Sequence, residues 1–230
     1  MSGFVLSLFD HTGNMVRPWI ENGYNAVIVD IQHPRGVTYQ HRPGEGQIIR
    51  RGEDVLKFDP LKLGWVPEVV FAFPPCTHLA ISGARWFQDK GMASLIEALT
   101  LVERARHLCE DVIGVPFMIE NPISTLSTYW RKPDHQFDPC DFGGYSGGEG
   151  DDYTKRTCLW TGHGFRMPPA RPIPPTDGSR MHRLAPGPER ANERSATPMG
   201  FARAVFEANR PGSTLTCDPE PTRLDFGGAA

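Results

Sequence analysis

The chain has 230 residues, of which 39% are hydrophobic, so it is long enough to bury one sizeable core as a single domain. Its formal net charge of -3 excludes the global basic field of a protein that binds nucleic acid over its whole surface, so a contact with DNA would need a local patch. The five cysteines include no Cys-x-x-Cys pair, which argues against a disulfide framework and against a zinc knuckle.

The first residues give no sign of export or of membrane insertion. The chain enters an apolar segment almost directly after Met1, without a basic leader or a small-residue cleavage site. No apolar run approaches the length of a membrane span. We therefore expect a soluble, cytoplasmic protein with no membrane partner.

Apolar runs alternate with helical and loop patterns along the first half of the chain. Short unbroken apolar runs, each predicted to be a buried strand, occur at residues 4–9, 26–30, 48–49, 69–73 and 117–119. Helical patterns occupy 15–22 and 92–109, and the polar, Gly- and Pro-rich residues 33–47 predict a loop. This alternation predicts a mostly parallel, doubly wound α/β sheet that is covered on both faces.

The second half of the chain has a weaker pattern. A strand is predicted at 157–161 and a short helix at 198–209. We predict one domain over 1–209, with a Pro- and Arg-rich insertion at 162–195. Residues 210–230 are predicted to be a flexible tail.

Polar side chains stand at the ends of three predicted strands. Asp30 closes the second strand, Cys76 follows the prolines that stop the fourth, and Glu120 follows the fifth. Because the carboxyl ends of parallel strands meet at one edge of a sheet, these side chains are predicted to share a crevice where ligands bind. The spacing from Gly13 to Asp30 is close to that of nucleotide-binding βαβ units, in which the acid binds ribose hydroxyls.

Short motifs surround these residues in a definite order along the chain. They are Leu8-Phe9-Asp10-His11-Thr12-Gly13, Pro75-Cys76, Glu120-Asn121, Thr154-Lys155-Arg156 and Ala196-Thr197-Pro198-Met199-Gly200-Phe201. In this order they resemble the cofactor-binding, Pro-Cys, Glu-Asn, basic and C-terminal helix motifs of the DNA (cytosine-5)-methyltransferases, in particular the short forms of bacteriophages and prophages. The resemblance covers most of residues 4–209. It implies a Rossmann-like class I fold that uses S-adenosylmethionine and no metal ion.

The resemblance also implies a covalent mechanism on cytosine in DNA. Cytosine C5 is a poor nucleophile, so the thiolate of Cys76 would first add to C6 and thereby make C5 reactive toward a methyl group. Glu120, with a pKa raised by burial, would relieve the charge that develops on N3. Arg156 would hold the base through its O2 oxygen.

Further residues are assigned to the cofactor and to the substrate by the same resemblance. Thr12 and Gly13 would approach the methionine part of the cofactor, Asp30 would accept the ribose hydroxyls, and Ile31 and Asp54 would contact the adenine. The full cofactor set is Phe9, Asp10, Thr12, Gly13, Asp30, Ile31, Asp54 and Pro74. The substrate set is Pro75, Thr77, His78, Asn121, Pro122 and Lys155.

The chain departs from the family in three places. Thr77-His78 replaces the usual Gln after Pro-Cys, and the second Arg of the basic motif falls on Cys158. Only a few dozen residues stand where family members that read a DNA sequence carry a recognition domain. This segment holds arginines that could bind phosphates with little sequence readout: Arg166, Arg171, Arg180, Arg183, Arg190 and Arg194.

Simpler interpretations of the same residues remain open. Cys76 could be a buried small hydrophobe, Glu120 a cap and Asp30 a turn residue. Arg156 could pair with the acids of the 147–152 loop. Two other functions also fit: the same chemistry on a free cytosine nucleotide or with a modified one-carbon donor, and a catalytically silent domain that binds DNA or a partner protein.

Overall fold

The computed structural model describes residues 3–176, 178–179 and 190–215. The strands are β1 (Phe4–Leu8), β2 (Asn25–Val29), β3 (Gly36–His41), β4 (Gln47–Gly52), β5 (Val70–Ala72), β6 (Phe117–Pro122), β7 (His135–Phe137) and β8 (Thr157–Gly162). The α-helices are α1 (Arg17–Glu21), α2 (Phe87–Arg106), α3 (Leu126–Tyr129), α4 (Arg190–Ser195) and α5 (Met199–Asn209). Within the described ranges, no helix has the length and apolarity needed to cross a bilayer.

The described strands form one 8-stranded sheet in the order β3-β4-β2-β1-β5-β6-β8-β7. From β4 to β6, neighbouring strands pair in parallel. In contrast, β3 at one edge and β8 near the other run antiparallel to their neighbours. The chain winds outward from β1 first toward β4 and then toward β6. This is a doubly wound, mostly parallel α/β sheet of the Rossmann-like type, which confirms the predicted fold class.

Each face of the sheet carries its own hydrophobic core because successive side chains of a strand point to opposite faces. Val5 of β1 belongs to the core under α1 and α5, where Trp19 and Phe206 meet edge to face with ring centroids 5.1 Å apart. Leu6 belongs to the other core, to which α2 contributes Val102. The central strands are buried on both faces, which explains why they appear in the sequence as unbroken apolar runs.

Two strands differ from the sequence-based expectation. The loop predicted over 33–47 is wrong, because β3 lies there and pairs with β4. β3 is an edge strand with mostly exposed side chains, so it lacks the apolar run that would indicate a strand. β7 was also not predicted, because its 3 residues are too few to show a periodic pattern.

Helix α2 is longer than the helix predicted at 92–109. It begins at Phe87, is interrupted at Gly91, where φ is 71° and ψ is 174°, and continues past Arg106 as a π-helix over His107–Ile113. Glycine adopts this left-handed backbone at little cost, so the break at Gly91 separates a first turn from the main helix.

The predicted C-terminal helix is present as α5 and packs back on the sheet. Gly200 lies so close to Phe142 that a Cβ would come within 2.3 Å of the Phe142 carbonyl oxygen, a contact that only glycine avoids. Asn14, in the loop after β1, donates a hydrogen bond from Nδ2 to the carbonyl oxygen of Thr197 over 3.1 Å. The start of α5 is thus tied to the loop that follows the first strand.

Some predictions lie outside the described residues. These include Arg180, Arg183, the side chain of Arg190 and the tail from residue 216 onward. The single domain over 1–209 and the insertion at 162–195 stay predictions, and α4 lies within that insertion.

Candidate active site

The crevice lies where the carboxyl ends of neighbouring parallel strands meet. Asp30 directly follows β2, and Cys76 lies in the loop after β5, with β1 between these two strands in the sheet. β6 extends to Pro122, further than predicted, so Glu120 and Asn121 project from the strand itself. The sheet therefore brings the three predicted strand-end residues to one edge.

The loop after β1 is built around the carboxylate of Asp10. This carboxylate accepts hydrogen bonds from Ser7 Oγ at 2.7 Å, from Thr12 Oγ1 at 3.3 Å and from the Gly13 amide at 2.7 Å. Burial raises the pKa of Asp10, and the three donors partly offset that rise because they favour the charged form. Phe9 and Gly13 have left-handed backbones, with φ of 56° and 74°, so the chain turns sharply on both sides of Asp10.

Asp30 lies beside this loop at the end of β2. Its Oδ1 accepts a hydrogen bond from the Gln32 amide at 2.7 Å, and its charge adds to the rise in the pKa of Asp10. Ile31, which follows directly, is 73% exposed. An acid and an exposed apolar side chain are thus adjacent at the mouth of the crevice.

Two histidines that the sequence reasoning did not single out also line this side. His11 and His33 stack with ring centroids 5.5 Å apart, and His33 Nε2 donates to the Asp10 carbonyl oxygen over 3.0 Å. Burial lowers the pKa of His33, and the buried Nδ1 of His11 has no hydrogen-bond partner in the described structure. The signal in the sequence that could have indicated His33 is its position close after Asp30, at the end of the second predicted strand.

Asp54, after β4, accepts a hydrogen bond from the Leu56 amide at 2.9 Å.

The loop that carries Cys76 is fixed to β6 by the side chain of Asn121. This side chain is fully buried, and its Nδ2 donates to the carbonyl oxygen of Pro74 over 3.0 Å. Pro75 is exposed and Cys76 is partly exposed. The carbonyl oxygen of Cys76 accepts a hydrogen bond from the Leu79 amide at 2.9 Å, so a tight turn begins at the cysteine.

The Cys76 thiol and the Glu120 carboxyl are close enough for charge to act between them. Burial raises the pKa of Cys76 and the negative charge of Glu120 raises it further, whereas Lys155 and Arg194 lower it. Burial also raises the pKa of Glu120, and the charge of Lys155 lowers it. Glu120 Oε1 is buried and has no hydrogen-bond partner among the described residues. Both groups are therefore biased toward their protonated forms, and Lys155 acts on both.

Lys155 and Arg156 are held differently by one acid, Asp138. Asp138 Oδ1 accepts a hydrogen bond from the backbone amide of Lys155 at 2.8 Å, and Oδ2 pairs with the Arg156 guanidinium at 3.1 Å. The Arg156 side chain is 51% exposed. The sequence motif assigned the catalytic cation to Arg156, whereas the positive charges that act on Cys76 come from Lys155 and Arg194. The role of Arg156 at the base stays a prediction.

The remaining predicted substrate residues surround the same loops. Thr77 is exposed, and its carbonyl oxygen accepts a hydrogen bond from Lys90 Nζ at 2.7 Å. His78 is partly buried, and its buried Nδ1 lacks a hydrogen-bond partner in the described structure. Pro122 is the last residue of β6. None of these placements tests a role in substrate binding.

Cys158 is a second thiol beside the crevice, in a different setting. It pairs with Asn121 across β6 and β8 and is buried. Burial, and then the charge of Glu120, raise the pKa of Cys158 to about 11, so its thiol stays protonated and unreactive at neutral pH. Considering the described residues alone, no group of three or more His, Cys, Asp or Glu side chains is placed to hold a metal ion.

Among the described arginines of the predicted basic segment, some make structural contacts and another acts on the candidate site. Arg166 Nη1 donates to the Ser213 carbonyl oxygen over 2.9 Å, and the Arg171 guanidinium lies 4.2 Å from the centre of the Tyr145 ring. These two contacts connect segments that are distant from each other in the sequence. Arg194 of α4 is different, because its charge reaches Cys76.

Comparison with known proteins gives a distant structural likeness but no family. No family model matches the chain, and no curated protein matches it by sequence. The chain is similar to the crystal structure of a prophage-encoded protein (E. coli) whose proposed identity is a DNA modification methyltransferase. The sequence identity is 14% and the TM-score is 0.44, over 70% of this chain and 47% of that one. Since the chain spans less than half of that protein, its activity has to be argued from its own residues.

Proposed function

We propose that the protein transfers a methyl group from S-adenosylmethionine to C5 of cytosine in DNA, through a covalent bond between Cys76 Sγ and C6 of the base. One observation carries the proposal. A partly exposed thiol lies in one crevice with Glu120, whose buried Oε1 has no hydrogen-bond partner among the described residues, and Asn121 joins the two segments. The motifs around them resemble the Pro-Cys and Glu-Asn motifs of the cytosine-5 family. This pair suits a base that is attacked at C6 and protonated at N3.

Glu120 supplies the proton that the addition step needs. When the Cys76 thiolate bonds to C6, the electron pair of the C5–C6 double bond moves into the ring and negative charge develops toward N3. Protonated Glu120 donates to N3 and becomes a carboxylate, which relieves that charge. Because burial raises its pKa, Glu120 keeps this proton at a higher pH than an exposed glutamate does.

Cys76 must lose its proton before it attacks, and nearby cations favour that loss. Burial and Glu120 raise the pKa of the thiol, whereas the positive charges of Lys155 and Arg194 lower it. A neutral Glu120 removes the opposing charge, so the reactive pair is a thiolate beside a protonated carboxyl. After methylation the C5 proton leaves to water, the C5–C6 double bond forms again, and Cys76 leaves as the thiolate. The N3 proton returns to Glu120.

We infer that the loops that follow β1 and β2 bind S-adenosylmethionine. Gly13 has a φ of 74°, a left-handed backbone that glycine adopts without strain, so the chain can turn sharply and approach a ligand closely here. The carboxylate of Asp30 can accept ribose hydroxyls, and the exposed Ile31 can cover an adenine face. The buried Nδ1 of His11, which lacks a partner in the described structure, offers one more polar contact. When bound, the cofactor would supply an electrophilic methyl group.

Local positive charge supports a polynucleotide substrate. The chain carries a net charge of -3, yet the charges of Lys155 and Arg194 both act on Cys76, and the half-exposed Arg156 directly follows Lys155 in the sequence. Phosphates bind such cations and thereby position a strand without reading its sequence. This agrees with a short insertion in place of a recognition domain.

Trapping with a fluorinated base tests the proposal. Fluorine at C5 cannot leave as a proton does, so after methylation the Cys76–C6 bond stays in place. A DNA oligonucleotide with one 5-fluorodeoxycytidine and S-adenosylmethionine should give a denaturant-stable adduct with the wild type. Cys76→Ser should give none, whereas the matched control Cys158→Ser, which removes the neighbouring buried thiol, should still give the adduct.

The same assay separates the alternatives. Methylation of dCMP but not of single-stranded or duplex DNA would assign the chemistry to a free nucleotide. Failure of every cytosine substrate to form an adduct would favour a domain that binds DNA or a partner protein without catalysis.

A further inference from the structure

A cavity of about 360 Å³ lies beside the proposed site and takes no part in the mechanism above. It is lined by residues of the Cys76 loop, the first turns of α2, and α3 with the residue before it, among them His78, Phe87, Lys90, Thr125 and Tyr129. The volume falls in the range of small-molecule pockets.

The cavity adjoins the segments that follow the proposed nucleophile and acid, because His78 and Thr125 line it. The Ile81 amide donates to the Ile123 carbonyl oxygen over 3.1 Å, and the Thr125 amide donates to the Leu79 carbonyl oxygen over 3.1 Å. An isolated β-bridge between Ala80 and Ser124 lies between these bonds. The segment that follows Cys76 is therefore paired with the segment that follows Glu120. A strand whose target base reaches Cys76 would have its next base beside this cavity.

The lining has the chemistry of a site for a flat, polar-edged ring. Phe87 and Tyr129 supply aromatic surface. His78 Nδ1 and Thr125 Oγ1 are buried and have no hydrogen-bond partner among the described residues. Buried polar atoms are normally satisfied, so these two are expected to find their partners on a ligand. Nucleobases combine faces that stack on aromatic rings with edges that form hydrogen bonds.

Positive charge lies at the same cavity. Lys90 lines it, and its ammonium group is held by the Thr77 carbonyl oxygen at 2.7 Å. Close by in the chain, the Arg85 guanidinium lies 5.1 Å from the centre of the exposed Trp86 ring. These cations can meet the phosphate that links two successive nucleotides.

We propose that this cavity is a subsite for the nucleobase next to the target cytosine on the same strand. The inference rests on the proposed function, because it places the strand by its target base at Cys76. Moving a base out of its stack exposes the faces of its neighbours, and a pocket that receives one neighbour offsets part of that cost. The subsite thus gives the protein a second contact with the substrate strand, in addition to the contact with the target base at Cys76.

A cycle of protein and substrate changes tests the subsite. The probes are fluorescein-labelled single-stranded 11-mers with one cytosine, and the same strands with a tetrahydrofuran abasic residue on its 5′ or its 3′ side. Dissociation constants are measured by anisotropy for the wild type, Tyr129→Ala and Tyr129→Phe. The Tyr129 side chain is 56% exposed, so its replacement should leave the fold intact.

The expected pattern is coupling between one abasic position and Tyr129. On one side of the cytosine, the abasic residue should weaken wild-type binding about tenfold, as expected for one lost stacking contact. With Tyr129→Ala the same abasic residue should cost about twofold or less, and Tyr129→Phe should behave like the wild type. Thr125→Val, which removes the unpartnered hydroxyl, should weaken binding of the intact strand only. Ile96→Ala, on the exposed side of α2 and outside the cavity, is the matched control.

Two results would overturn the inference and are distinguishable from each other. If both abasic strands lose the same factor with wild type and Tyr129→Ala while fluorocytosine trapping succeeds, the cavity is no subsite and the proposed function stands. If no cytosine substrate is trapped, both proposals fall together.

Discussion

The two halves of the crevice differ in how their buried polar groups are satisfied. On the proposed cofactor side, Asp10 accepts three hydrogen bonds from its own loop. On the proposed substrate side, Glu120 Oε1, Asn121 Oδ1 and His78 Nδ1 have no partner in the described structure. The hydrogen bonds of Asp10 fix the first half without a ligand, whereas we propose that the polar groups of the second half gain their partners from a substrate. His11 Nδ1 is the exception on the cofactor side.

Glu120→Gln should give the largest effect, because it removes the proton donor from the unsatisfied half and leaves the satisfied half unchanged. We expect the single-turnover rate of methylation to fall about 10²- to 10⁴-fold. Affinity for S-adenosylmethionine should stay within about twofold in calorimetry, since no satisfied group changes. A rate within a few-fold of the wild type would remove Glu120 from the chemistry.

The same substitution changes how stability depends on pH. Burial raises the folded-state pKa of Glu120 above its ordinary value of 4.5, so its contribution to folding is full below pH 4.5 and is lost as pH rises through the folded-state pKa. Gln does not titrate. Glu120→Gln should therefore be more stable than the wild type at neutral pH, and this advantage should shrink as the pH approaches 4.5. Thermal unfolding at several pH values measures the difference, and a constant difference would contradict the buried, protonated carboxyl.

Asp30→Ala should affect the cofactor half alone. Loss of a charged acceptor for the ribose hydroxyls should weaken S-adenosylmethionine binding about 10- to 100-fold by calorimetry, while the chain still folds. Asp59→Ala is the matched control, because Asp59 Oδ1 accepts a hydrogen bond from the Leu61 amide at 3.1 Å in a similar turn outside the crevice. Equal affinities for the two variants would exclude Asp30 from the cofactor site.

Asn121→Ala should weaken the contact between the segment that carries Cys76 and the segment that carries Glu120. It removes the bond to the Pro74 carbonyl oxygen, which should cost about 1–3 kcal/mol of unfolding free energy in urea and slow fluorocytosine trapping. Asn22→Ala removes a bond of the same type, from Nδ2 to the Pro18 carbonyl oxygen at 2.8 Å, at the exposed end of α1. That control should lose stability without slowing trapping, and slow trapping in both variants would point to a general effect of instability.

Lys155→Met should give the smallest effect, and Arg156→Met is its neighbouring control. Loss of the Lys155 charge should raise the pKa of Cys76 and reduce its alkylation by iodoacetamide about three- to tenfold at pH 8. Arg156 is paired with Asp138, so its replacement should change the alkylation rate less. The reverse order would return the catalytic cation to Arg156, as the sequence motif suggested.

The central sheet was predictable because its strands are buried on both faces. Residues such as Val5 and Leu6 form separate cores, so each inner strand leaves an unbroken apolar run in the sequence. β3 has no such run, because it is an exposed edge strand. It forms a strand by pairing with β4, and its own composition does not indicate this. The first turn of α2, before the break at Gly91, was also not predicted, because the helical pattern in the sequence begins only at Met92.

The candidate site was predictable where it depends on strand ends and not where it depends on contacts between distant segments. Asp30, Cys76 and Glu120 were indicated by their positions after apolar runs. The pairing of Arg156 with Asp138 joins residues that no periodic pattern connects. The cavity beside Cys76 needs α2 and α3 to meet, which is a property of tertiary packing.

The bridge between Ala80 and Ser124 has a consequence for how the protein would lose activity. Native proteins open locally in cooperative units, and segments joined by backbone bonds open together. The amides of Ile81 and Thr125 should therefore exchange with deuterium at one common rate. Mild heating would then displace the Cys76 loop and the segment that follows β6 in a single event, so inactivation should precede global unfolding as one step and not as two.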